Sequence, residues 1–106
     1  MINAYKSTGQ IIRELREGKE LLVRQVAALL EIDPSLLSKI ERGDKRATRD
    51  QISLLSSILE VNENELLVAY LSDRLVYEIR DEDLAIEAIK MAEQKIKYLK
   101  KSNTVV

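Results

Sequence analysis

The stretch that decides the fold is Pro34–Asp50, PSLLSKIERGDKRATRD. Its polar residues Ser35, Ser38, Lys39 and Arg42 stand at i, i+3, i+4 and i+7, a spacing that gathers them on one helical face. Leu37 and Ile40 fall on the other face. Pro34 suits the first helical position, where a missing N–H costs nothing, and Asp33 before it is a capping residue. Gly43 ends the helix as a left-handed terminator, and Lys45, Arg46 and Arg49 follow it. The stretch therefore describes a short helix with an apolar back, a front of hydroxyls and cations, and a basic loop beyond.

Working outward, the same patterning predicts five more helices and no strand, so the fold class is all-α. Thr8 is the expected N-cap of a first helix that carries Ile11, Ile12 and Leu15 and ends near Gly18. A second runs from about Val23 to Leu30, with Val26, Ala27, Leu29 and Leu30 apolar. A fourth opens near Thr48 or Arg49 and carries Ile52, Leu55 and Leu59. Asn62 caps a fifth, from Glu63 to about Ile79, with Glu63 and Glu65 placed to suit the helix dipole. The sixth lies in RDEDLAIEAIKMAEQKIKYLKK, residues 80–101, where acids at the start and lysines at the end complement the dipole. That acidic first turn accounts for Asp81, Glu82 and Asp83 better than a metal site does. The last residues, SNTVV at 102–106, read as a frayed tail.

Composition narrows the function. The 106 residues are 45% hydrophobic and 33% charged, a globular balance, with only three Gly and one Pro. There is no Cys and no His, which excludes thiolate nucleophiles, disulfides, the common catalytic triads and most zinc sites. No Gly-rich phosphate loop accompanies the carboxylates, so we expect no enzyme, no cofactor and no metal. The longest apolar run, Leu66 to Leu71, is far too short to span a bilayer, and MINAYKSTGQ lacks a signal-peptide core. The expected setting is cytoplasmic.

Net charge is −1, but its distribution is uneven. Residues 39–49 hold five basic residues against Glu41 and Asp44, whereas residues 60–83 hold eight acidic ones against Arg74 and Arg80. Such segregation makes a local positive patch on a neutral molecule. Helices two and three, joined by Glu31, Ile32 and Asp33, then read as a helix-turn-helix. Ser35, Ser38 and Lys39 would enter a major groove, while Arg42, Lys45, Arg46 and Arg49 would meet phosphates.

Residues 11–67, IIRELREGKELLVRQVAALLEIDPSLLSKIERGDKRATRDQISLLSSILEVNENELL, resemble the Cro/phage-repressor-type (Xre family) helix-turn-helix domain. The resemblance rests on LRE and Lys19 in helix one, VAALLEID, LLSKIERG and LSSILEVNENELL, in order and at the right spacing. It implies a five-helix lambda-repressor-like DNA-binding domain over residues 1–69, whose third helix reads a double-stranded operator as a homodimer, most often as a repressor of transcription. It also implies base-facing places for Pro34, Ser35, Ser38 and Lys39, phosphate-facing places for Arg42, Lys45, Arg46 and Arg49, and a structural ion pair between Arg16 and Glu41.

Three departures from the family pattern stand out. Leu22 and Val23 occupy the places of a Ser or Thr cap and a DNA-contacting Gln; Ser7, Thr8, the first-turn amides of helix two, Arg24 and Gln25 are the available substitutes. Glu31 stands where the turn commonly has Gly, so it must adopt a left-handed conformation or reshape the turn. Leu36 takes a place that is often polar or aromatic, and surface packing is favoured over a contact with a thymine methyl.

Residues 70–106 form a helical extension that the resemblance does not cover. Ala85, Ile89, Ala92, Ile96 and Leu99 follow heptad spacing. Two readings stand: the stripe packs back on helix five, or it is a dimer or partner interface. Tyr70, Tyr77 and Tyr98 are expected to serve as core and interface residues. An antitoxin, or a restriction–modification controller, whose tail holds a protein partner is the alternative to a dimeric repressor.

Overall fold

A computed structural model describes residues 2–104. Six helices follow in order: α1 (Thr8–Gly18), α2 (Val23–Leu30), α3 (Pro34–Arg42), α4 (Arg49–Ile58), α5 (Glu63–Ile79) and α6 (Ala85–Thr104), with no strand among the described residues. The chain is an all-α lambda-repressor-like fold.

Local chemistry sets most helix starts. Ser7, not Thr8, caps α1: Ser7 Oγ accepts the Gln10 N–H at 3.3 Å and Gln10 Oε1 accepts the Ser7 N–H at 3.1 Å. Thr8 is one residue too late for the cap and is buried in the first turn instead. Thr48 and Gln51 repeat the reciprocal cap at α4. Asn62 Oδ1 accepts the Glu65 N–H at the start of α5. Asp33 sits at the N-cap of α3, but its side chain makes no capping bond. Asp81, Glu82 and Asp83 lie in the turn before α6 rather than in its first turn, which holds Glu87. No group of acidic residues among those described converges so as to hold a metal ion. α6 continues through Thr104, beyond the start of the expected frayed tail, and Val105 and Val106 lie outside the described residues.

The described residues form two compact units that divide between Arg74 and Leu75. In the first, α3 packs on α1 and α2, and α2 packs on α4. The core gathers the apolar stripes of five helices, with Ile12, Val26, Leu37, Ile52, Leu55, Leu59 and Leu66 its most deeply buried large side chains. Each such side chain stabilises the fold by about 1.5–3 kcal/mol relative to an exposed one. Two side chains of α5 bond within this unit although the sequence reading assigns them to the extension. Tyr70 Oη donates to the Ala47 carbonyl at 2.7 Å, and Asp73 Oδ2 accepts the Thr8 N–H at 2.8 Å.

The second unit holds the last residues of α5, the turn and α6. Arg80 lies over the Tyr77 ring at 5.2 Å. Ile89, Ile96 and Leu99 are 38%, 53% and 59% exposed. No helix among the described residues is long and apolar enough to cross a membrane.

Candidate nucleic-acid interface

The exposed face of α3 begins with what holds its back. Leu37 and Ile40 are buried, and Leu36 is half-buried against the same core. The α3 backbone ends at Gly43, which takes φ 83°, and the Asp44 N–H then donates to the Lys39 carbonyl at 2.9 Å. With the back held, Pro34, Ser35, Lys39 and Arg42 are exposed and Ser38 is half-buried. Lys45, Arg46 and Arg49 are exposed beyond the helix, so the loop continues the positive surface. Arg42 Nε lies 3.1 Å from Asp44, an exposed pair of little net strength.

One buried ion pair fixes the helix. Arg16 Nε and Nη2 donate to the two carboxylate oxygens of Glu41 at 2.8 and 3.0 Å, and Arg16 Nη1 donates to the Leu21 carbonyl at 2.8 Å. One guanidinium thus ties α1 to α3 and to the residues leading into α2. Both side chains are buried, and the hydrogen bond to Glu41 raises the Arg16 pKa despite its burial. Glu41 is therefore neutralised by its partner and does not repel phosphate from the face beside it.

The sequence model of the helix-turn-helix family matches residues 12–66, just over half of the chain. The chain belongs to the Cro/Xre-type helix-turn-helix family. It is a DNA-binding transcriptional regulator. The comparisons with curated proteins and with solved structures returned no match.

Within this helix-turn-helix, the departures have structural answers. Leu22 stands at the N-cap of α2 and offers no side-chain acceptor, but Gln25 Oε1 turns back to take the Leu22 N–H at 2.7 Å. Gln25 is thus a cap, and Arg24 stays exposed. Glu31 keeps the left-handed turn without glycine, at φ 58° and ψ 42°. Glu20 and Glu60 do the same at φ 56° and φ 57°.

Two residues escaped the sequence reading. Gly9 is where α1 crosses the end of α3: a Cβ there would lie 2.5 Å from the Glu41 carbonyl oxygen and against that of Ile40. Its signal was its spacing, seven residues before Arg16 and so on the same helical face. Arg13 is exposed on α1 and lines a small cleft with Arg16, Val23, Ser38, Glu41 and Arg42. It belongs beside the basic face although it lies far from the basic loop in sequence.

Proposed function

We propose that this helix-turn-helix regulator is a homodimeric repressor that acts in the cytoplasm and reads a symmetric double-stranded operator with residues 34–42. Pro34, Ser35, Ser38 and Lys39 contact base edges; Lys39 suits guanine O6/N7, and the serines donate or accept at several bases. Arg42, Lys45, Arg46 and Arg49 contact phosphates, and Arg13, from the cleft beside α3, joins them. Two recognition helices would enter successive major grooves about 34 Å apart. The reading assigns no catalytic step, cofactor or metal to the chain.

The observation that carries this reading is the buried Arg16–Glu41 pair beneath an exposed basic face. It commits α1 and α3 to one angle while leaving the cations open to a partner. The test is a footprint on the DNA upstream of the protein's own gene at two salt concentrations. A short symmetric footprint that disappears with Lys39→Ala supports the reading; diffuse, salt-sensitive coverage that Lys39→Ala leaves unchanged rejects it.

The stripe of half-buried Ala85 and exposed Ile89, Ala92, Ile96 and Leu99 favours a role for residues 70–106 in assembly. In the repressor reading it joins two copies. In the second reading, that of an antitoxin or restriction–modification controller, it holds a different protein. Recovery of a stoichiometric second protein from the native host, lost on removal of residues 75–106, would favour the second.

A further inference from the structure

The stripe on α6 is built of two kinds of residue in alternation. Ala85, Ala92 and Leu99 occupy one heptad position; Ile89 and Ile96 occupy the other. When two such helices pair in parallel, like positions face each other. Layers of Ile on Ile then alternate with layers of Ala on Ala, which leave voids between the helices. When they pair antiparallel, unlike positions share a layer, and Ala85 and Ala92 each face an Ile.

The charges beside the seam make the same choice. A parallel pair would bring Lys95 of each copy beside Lys100 of the other, two repulsive contacts flanking one short seam. An antiparallel pair instead brings the end that carries Lys97 and Lys100 to the turn that carries Asp81, Glu82 and Asp83. Lys97 already holds Glu93 in its own helix at 3.6 Å, whereas Asp81, Glu82, Asp83, Lys95 and Lys100 are all exposed. The dipoles of two antiparallel helices also oppose, which adds to the preference.

We infer that α6 pairs antiparallel with α6 of a second copy of this chain, with Ala85 facing Ile96 and Ile89 facing Ala92 across a twofold axis. Ile86, exposed on α6 beside Ile89, flanks the seam. The inference rests on the dimeric reading above and supplies its geometry.

The absence of native cysteine makes the test clean. Ala85→Cys and Ile96→Cys are made singly in the full chain, one of them with a size tag, and oxidised alone and after mixing. Light scattering of the unmodified chain reports its oligomeric state alongside. A dimer in light scattering, with a cross-linked species in the mixture and loss of both same-variant species, supports antiparallel pairing. A dimer whose Ala85→Cys and Ile96→Cys forms each cross-link with themselves overturns the orientation but leaves the dimeric reading standing. A dimer that cross-links in neither experiment places the interface elsewhere and overturns the inference. A monomer at all concentrations removes the dimeric reading itself. Reversing Lys100 to Glu, at an exposed position that leaves the seam intact, is expected to shift the dimer toward monomer. Adding Asp81→Lys and Asp83→Lys to that variant is expected to restore it.

Discussion

At the scale of single residues, the strongest commitments are Arg16, Glu41 and Gly9. Removing one partner of the buried pair leaves the other charged and desolvated, so Arg16→Ala or Glu41→Ala should cost about 3–5 kcal/mol in urea unfolding. Replacing both, with Arg16→Met and Glu41→Leu, should be more stable than either single change. Gly9→Ala pushes a methyl group into two backbone carbonyls that cannot rotate away, and we expect a loss of about 1–3 kcal/mol or more. Glu31→Gly should act in the opposite direction. It relieves a left-handed side chain, worth roughly 1 kcal/mol and a rise of about 4–8 °C in the melting temperature of a domain this size. Glu60 gives a pH signature. Its hydrogen bond from Lys19, at 2.7 Å, holds the carboxyl below its ordinary value of 4.5. A depressed carboxylate contributes stability above the unfolded pKa and loses it as the pH falls through the folded one. Glu60→Gln should therefore lower stability near neutrality and flatten the curve below about pH 4.5.

At the scale of elements, the recognition helix was legible because several local rules agree on it: Pro34 at its start, Gly43 at its end, and alternating faces between. The pair Arg16–Glu41 was legible only through resemblance, since no spacing rule links residues 25 apart. Tyr70 was expected in the core, where it packs, but its bond and that of Asp73 were not legible, because they reach back 23 and 65 positions. Asp81–Asp83 misled because acids suit a first turn as well as the turn before it; the helix starts at Ala85 instead. The bonds of Tyr70 and Asp73 predict where the chain can be cut. A fragment ending at Arg74 should unfold at higher urea than one ending at Ala69, by about 2 kcal/mol or more, because the shorter one loses both bonds.

At the scale of the whole molecule, a net charge of −1 coexists with DNA binding because the five basic residues of α3 and the loop after it locally outweigh Glu41 and Asp44. Binding should therefore weaken steeply with salt. Lys45→Ala and Arg46→Ala should each weaken binding to every sequence and reduce the salt slope by about one unit, as should Arg13→Ala. Lys39→Ala should behave differently, with affinity falling most for the preferred site and base preference relaxing at one position of each half-site. The most direct measurement is selection from a random pool of DNA duplexes by the full chain and by its Lys39→Ala variant in parallel. The expected result is a twofold-symmetric sequence for the full chain and loss of preference at one symmetry-related pair of positions for the variant. An identical selected sequence from both proteins would contradict the assignment of residues 34–42 as the reading element.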